Sequence, residues 1–329
     1  MSYQYNKVEI EPLIDPKNKR INLFPIEYED VWQFYKQSVA SFWVPEEITL
    51  VDDMKDWEKL PEEEKHFILM VLGFFAASDF IVNENLDEGF CEHITVPEVK
   101  MFYHAQEFFE DIHTTTYQLL IETYVRSNDI KKKLLNSVVE IPSIRKKAEW
   151  ARSAIIEKDF VGRLLAFCCV EGIMFSASFA AIFYCKKRGI LPGLSFSNSL
   201  IARDEGMHRD FACLLYKNYI INKWSRNQVV ELIKSAVDVE KDFVKESLPY
   251  YLAGMNKDLM CQYVEYVADH LLVSLGYEKE YNTENPFPWM ILTGMDQKSN
   301  FFEVRVSSYA KQSTLATQEE NQISFNDDF

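Results

Sequence analysis

Six side chains in this sequence have the types and the spacing to hold metal ions between helices. They are Asp79, Glu110, His113, Glu171, Glu205 and His208. Each half of the set has the same order, a lone carboxylate followed 31 or 34 residues later by a Glu whose partner His comes three residues further on. Residues three apart lie on one face of an α-helix. The repeated order therefore indicates two helix pairs that each supply one carboxylate and one Glu-x-x-His motif.

The helical faces that would carry these residues are otherwise apolar. At helical spacing of three or four residues, Asp79 has the apolar neighbours Leu72, Phe75 and Val82. Asp79 is therefore the only charged residue on a helical stripe that is predicted to face the core. Four buried carboxylates on converging faces would repel one another unless cations neutralised them. Two divalent ions would do so, with the imidazoles completing the coordination. This is the pattern of di-iron and di-manganese carboxylate proteins.

A third Glu-x-x-His pair, Glu63 and His66, receives a different interpretation. It lies in the acidic run PEEEKH at a predicted helix start, and no carboxylate helix matches it. We interpret this pair as a surface feature. The two retained pairs differ from it in their apolar surroundings and their matching upstream acids.

The elements that must position these residues are helices. Gly is scarce, with 10 residues in 329, and we find no sustained alternation typical of strands. Helices are predicted over 28–40, 61–86, 97–127, 144–153, 157–187, from Ser195 or Ser197 to 218, and over 226–253 and 256–275. We therefore expect an all-α helical bundle as a single domain over 1–309, with an irregular arm at 1–30. Residues 310–329 are polar and form a predicted flexible tail.

Composition excludes some function classes and sets an expected compartment. The formal net charge of −16 argues against a basic surface for nucleic acid. Residues 164–185 are apolar and long enough to span a bilayer, but Glu171 interrupts them, so we expect a buried central helix and no membrane. The six cysteines form no Cys-x-x-Cys pair, and the N-terminus lacks a signal pattern. These features predict free thiols and a cytoplasmic protein.

Tyr117 lies one helical turn beyond His113 and would face the same site. A buried tyrosine is usually a core residue with a satisfied hydroxyl group. Beside an oxidising metal pair, Tyr117 could instead donate one electron and become a radical. Phe175, Phe179 and Ile201 occupy helical positions near the ligands, where they would exclude water and reductants from such a radical. In the absence of a radical, they would be ordinary core residues.

Several stretches of the chain together resemble one protein family. They are SFW (41–43), FFAASDFIVNENL (74–86), EDIHTTTY (110–117), VEGIMFSASF (170–179), KKRGILPGLSFSNSLIARDEGMH (186–208), NPFPWM (285–290), FFEVRVSSY (301–309) and the terminal NDDF. In this order, they resemble the small, radical-generating subunit of class I ribonucleotide reductase. The resemblance implies a ferritin-like bundle with additional helices, a homodimer, and two iron ions per chain, with manganese also compatible with the ligands.

The resemblance also implies roles for residues outside the metal site. The dimetal site would activate dioxygen and leave a stable radical on Tyr117. Trp43 would deliver an electron during assembly and join the radical path, which His113 and Asp204 would link to the metals. Tyr309 would pass the oxidising equivalent to the large subunit.

Two further residues and the tail also match positions in this family. Arg203 and Glu303 match positions implicated in pathway gating and proton-coupled transfer. Residues 310–329 would dock the large subunit, where ribonucleotides are reduced to deoxyribonucleotides for DNA replication.

Three other functions fit parts of the same pattern. A di-iron oxygenase or desaturase would share the ligand set, but it would need an open channel to the metals and would not need Tyr117 or Tyr309. A ferritin-like iron binder would be much shorter and would lack SFW and the terminal motif. A scaffolding paralogue without chemistry is disfavoured by the intact set of six ligands. The sequence leaves iron and manganese open.

Overall fold

The computed structural model describes residues 9–86, 91–156, 159–248 and 254–293, and within these ranges the regular structure is helical. The α-helices are α1 (Glu29–Ala40), α2 (Asp53–Trp57), α3 (Glu62–Asn85), α4 (Pro97–Tyr124), α5 (Asn128–Leu135), α6 (Ser137–Glu140), α7 (Pro142–Ile156), α8 (Phe160–Cys169), α9 (Ser176–Arg188), α10 (Pro192–Tyr219), α11 (Arg226–Ser247) and α12 (Lys257–Ser274). The prediction of an all-α protein is confirmed. The short helices α2, α5 and α6 were not predicted.

The long helices pack as a bundle with further helices around it. α3 packs against α4, while α10 packs against α4, α8 and α9. Outside this group, α1 covers α4 and α10, and α7 and α11 cover α8. The residues that face inward are apolar and almost fully buried, as expected from the helical periodicity. This packing brings the faces that carry the predicted ligands toward one another.

The apolar segment is the central helix of the bundle. From Phe160 to Arg188 the chain is long and apolar enough to cross a membrane. An 18-residue window within this segment has a mean hydropathy of 1.9, but that window is fully buried inside the fold. The expectation of a buried core helix is therefore confirmed. The segment is not one regular helix, because a π-helical turn at Val170–Met174 separates α8 from α9. Gly189 ends α9 in the left-handed conformation, with φ of 69°.

Helix α10 begins earlier than the sequence suggested. Ser195 and Ser197 do not cap it, since their hydroxyl groups donate to Ile190 O and Leu194 O. The helix starts at Pro192, and a distant carboxylate caps it.

The fully buried Asp53 of α2 supplies this cap. Its carboxylate accepts the backbone N–H groups of Gly193, at 2.7 Å, and Leu194, at 2.8 Å. The hydroxyl group of Tyr124 also donates to Asp53, at 2.5 Å. The approach is so close that a Cβ atom on residue 193 would lie 2.5 Å from the carbonyl oxygen of Thr49, so Gly is required there. Asp53 thus fastens α2 and α4 to the start of α10.

We expect Asp53→Ala to lower the free energy of unfolding by about 3 kcal/mol, because it leaves three buried donors without their acceptor. Asp52→Ala is the matched control, since its side chain is exposed and pairs with the exposed Lys55, and its effect should stay within about 0.5 kcal/mol. Urea unfolding followed by circular dichroism measures both. Equal losses for the two variants would contradict the assigned cap.

Candidate metal centre

Three separate parts of the bundle position the described members of the predicted ligand set. Glu110 and His113 lie on α4, and Glu205 and His208 lie on α10. Glu171 lies in the π-helical turn between α8 and α9. The sixth predicted ligand, Asp79, belongs to α3, but its side chain falls outside the part of the chain that the structure describes.

The structure brings these side chains together in the centre of the bundle. Ligand atoms of Glu110, Glu171, Glu205 and His208 all lie within 4.8 Å of one another. Each of these side chains is buried, with Glu171 the most exposed at 5 %. His113 is also fully buried and contacts the same cluster. Oxygen and imidazole nitrogen donors at this density are suited to iron, manganese or zinc.

Two of the carboxylates lie between the two histidines. The two oxygens of Glu110 are 3.3 Å from Nδ1 of His113 and 3.0 Å from Nδ1 of His208. Those of Glu205 are 3.0 Å and 3.4 Å from the same two nitrogens. Each glutamate therefore offers one oxygen to the side of each histidine. Two ions, one beside each imidazole, could share both carboxylates.

The carboxylates strongly affect the protonation of both histidines. Burial alone disfavours the imidazolium form of His208, but Glu110 and Glu205 outweigh it and raise its pKa to about 9. His113 shows the same competition, in which Asp204, Glu110 and Glu205 raise its pKa well above the ordinary value. Protons on the imidazoles and divalent cations are thus alternative ways of neutralising the same buried carboxylates. The donor set fits a pair of metal ions.

Gln106 supports the cluster, although the sequence analysis gave it no role. Its amide nitrogen donates to Glu171, at 3.1 Å, and to Glu110, at 3.4 Å. Gln106 lies one turn before Glu110 on the same face of α4 and is fully buried. The signal for this role in the sequence was an amide residue on the same helical face as the predicted ligands. Its hydrogen bonds orient two carboxylates from different helices.

A hydrogen-bonded chain runs from the cluster to Trp43. Nε2 of His113 lies 3.3 Å from Oδ2 of Asp204, and the indole N–H of Trp43 donates to the same oxygen, at 2.8 Å. Arg203 donates to the other carboxylate oxygen and to the carbonyl group of Ser41. Trp43 and Asp204 are almost fully buried. Arg203 therefore holds both Asp204 and the segment that carries Trp43.

Tyr117 lies in an aromatic pocket inside the bundle. Its ring stacks on that of Phe75, with centroids 4.5 Å apart and planes at 6°. Phe75 in turn contacts Phe179, at 5.0 Å, and Phe175, at 6.0 Å. Ile201 is fully buried on α10. Phe75 was not among the predicted pocket residues, because the sequence does not show which ring of α3 meets α4.

The remaining predicted residues are either exposed or outside the described ranges. Glu63 and His66 are exposed, in agreement with their interpretation as a surface pair. Glu303, Tyr309 and the tail 310–329 lie outside the residues that the structure describes.

Comparisons with known proteins place the chain in one family. The family model for "Ribonucleotide reductase, small chain" matches residues 20–286. The ribonucleoside-diphosphate reductase small chain of Trypanosoma brucei brucei is 52 % identical over 95 % of this chain and 93 % of its own length. The small subunit of the Dictyostelium discoideum enzyme is 52 % identical over 95 % of this chain and 93 % of its own.

A solved structure gives the same answer for the fold. The ribonucleotide reductase Rnr4 homodimer of Saccharomyces cerevisiae superposes with a TM-score of 0.78 at 34 % identity, covering 92 % of this chain and 93 % of that one. The predicted ferritin-like bundle with additional helices is confirmed. By its sequence, its fold and its central cluster of carboxylates and histidines, the chain belongs to the ribonucleotide reductase small-chain family.

Proposed function

We propose that the buried cluster holds two metal ions, iron in the first instance, and that the chain uses them to make a stable radical on Tyr117. As a member of its family, the chain is a small subunit of ribonucleoside-diphosphate reductase and acts with a large subunit. The observation that carries the proposal is the position of Glu110 and Glu205, each between both histidines. Carboxylates in this position could each give one oxygen to an ion beside His113 and the other to an ion beside His208.

Each proposed ligand has a distinct task at the ion pair. Glu110 and Glu205 would bridge, while His113 would bind one ion and His208 the other. Glu171 would bind on the His208 side, which its place in the same close cluster supports. Asp79 would be the sixth ligand, contributed by α3. Manganese satisfies the same oxygen and nitrogen donors, so the choice of metal depends on supply as well as on this site.

Reduction of dioxygen to water takes four electrons, of which a reduced iron pair would supply two, Tyr117 one, and an external donor the last through Trp43. The residues around Tyr117 would then protect the oxidised ring. Phe75 covers one face of it, and Phe175 and Phe179 pack against Phe75. Water and small reductants are excluded from such a pocket, so the radical would persist.

Asp204 would connect the metal site to the buried indole ring of Trp43. Burial alone raises the pKa of Asp204, but the charge of Arg203 and the hydrogen bond with His113 outweigh it and lower that pKa. The carboxylate therefore stays ionised and accepts from both His113 and Trp43. This fixes the indole ring close to the imidazole ring, with centroids 6.0 Å apart. Such contact suits electron transfer between Trp43 and the metal ligand.

Beyond Trp43, the proposal relies on the family resemblance. Tyr309 would carry the oxidising equivalent onward to the large subunit, with Glu303 assisting proton transfer and Arg203 gating the pathway. The tail 310–329 would dock that subunit. A homodimer is supported by the yeast relative, which is described as a homodimer.

Glu205→Ala should abolish tight binding of both ions, because it removes a bridge that the two positions share. Metal-free protein would be loaded anaerobically with ferrous iron and passed through a desalting column, and the iron retained per chain would be measured. Glu63→Ala, which alters the exposed Glu-x-x-His pair, is the matched control and should retain two irons like the wild type. If Glu205→Ala also retained two, the bridged site would be wrong.

Tyr117→Phe should eliminate the radical while leaving the metals bound, because it removes only the oxidisable hydroxyl group. Electron paramagnetic resonance after addition of air and reductant would show a tyrosyl doublet in the wild type and none in this variant. Tyr103→Phe changes another buried tyrosine of α4 and should keep the doublet. Undiminished nucleotide reduction by Tyr117→Phe, assayed with the large subunit, would rule out the radical mechanism.

Trp43→Phe should reduce nucleotide reduction to background without loss of iron, because it removes the indole ring bonded to Asp204. Trp57→Phe is a suitable control, since Trp57 is also a buried tryptophan but stacks on Tyr124 instead. It should lower stability modestly and leave turnover intact. Equal turnover in both variants, measured with the large subunit in excess, would exclude Trp43 from the pathway.

A further inference from the structure

A second group of metal-ligating side chains lies on the outer part of α4, and nothing in the proposed function uses it. Ligand atoms of Cys91, His104 and Glu107 all lie within 4.8 Å of one another. His104 is exposed, and Cys91 and Glu107 are partly buried. The thiol group of Cys91 donates to Oε1 of Glu107, at 3.2 Å. Three different donor types therefore converge at a point that solvent can reach.

The local structure holds these donors in place. His104 and Glu107 are three residues apart, so α4 presents them on one face, one turn from each other. Cys91 comes from the segment that leads into α4. Buried Ile94 and Val96 anchor that segment, and the backbone N–H of Thr95 donates to Leu13 O, at 2.9 Å. The sulfur is thus brought to the helix face by tertiary packing.

We propose that Cys91, His104 and Glu107 form a mononuclear site for a divalent transition metal of the zinc type. Thiolate, imidazole and carboxylate are the usual zinc ligands, and three protein ligands with an open fourth position leave room for a water molecule. The exposed His104 supplies the open side. The sulfur donor separates this site chemically from the central cluster, whose donors are oxygen and nitrogen. Soft cations would prefer the outer site.

The outer site is close to the central cluster along α4. Glu107 precedes Glu110 by one turn of the helix. Metal added to the protein would consequently occupy two chemically different places on one helix.

The sequence contains a signal for this site. His104-x-x-Glu107 has the same spacing as the Glu-x-x-His pairs with the order reversed, so a search for Glu before His passes over it. The third ligand cannot be found in this way, because Cys91 precedes His104 by 13 residues and joins it only through the fold.

Cobalt(II) added to metal-free, full-length protein tests the proposal. A thiolate ligand gives cobalt an intense charge-transfer absorption in the near ultraviolet, which oxygen and nitrogen ligands do not. We expect the band in the wild type, its loss in Cys91→Ser, and at least about 10-fold weaker cobalt binding in His104→Ala. Cys261→Ser is the matched control, since Cys261 is a partly buried free thiol on α12, and it should keep the band.

The outcomes separate this site from the central one. Glu205→Ala should lose the central ions but keep the thiolate band, so failure of the dimetal proposal would leave this test intact. Helical circular dichroism would confirm that each variant folds. Absence of the band from the wild type, its persistence in Cys91→Ser, or its loss in Cys261→Ser would overturn the proposal.

Discussion

The convergence of buried carboxylates is the constraint on which the rest of this structure depends. Glu110, Glu171 and Glu205 come from three different parts of the bundle and meet where water is largely excluded. Like charges at such distances are unfavourable unless protons or cations neutralise them. The two histidines supply one means of neutralisation, and metal ions would supply a stronger one. Folding and metal binding are therefore coupled at this point.

The surrounding helices counteract this repulsion by fixing the ligands from outside. Gln106 donates hydrogen bonds to two of the carboxylates, and Arg203 holds the carboxylate that accepts from His113. Farther away, Asp53 fastens the beginning of the helix that carries Glu205 and His208. These contacts link residues far apart in the chain, so the position of each ligand depends on the packing of several elements. A displaced helix would disturb the surroundings of both histidines together, because Glu110 and Glu205 each contact both imidazoles.

The donor chemistry changes from the centre of the bundle outward. The centre has carboxylates and imidazoles, suited to ions that change oxidation state, and its neighbours are aromatic rings that exclude water. On the outer face of α4, a thiol group joins an imidazole and a carboxylate in a position open to solvent. In our proposals, one long helix contributes ligands to two sites with different preferences. Different metals would then be bound by the same chain without competing for one position.

The sequence by itself determined the helical class and the buried apolar segment, because helical periodicity shows which residues share a face. For the same reason it predicted a set of ligands, and those that the structure describes lie close together. The family also followed from motifs along the chain. Only the tertiary structure decided that Glu110 and Glu205 each face both histidines, that a π-helical turn carries Glu171, and that Phe75 covers Tyr117. It also decided that Asp53 caps the N-terminus of α10 and that Cys91 lies beside His104. These features depend on contacts between distant segments, which local spacing does not encode.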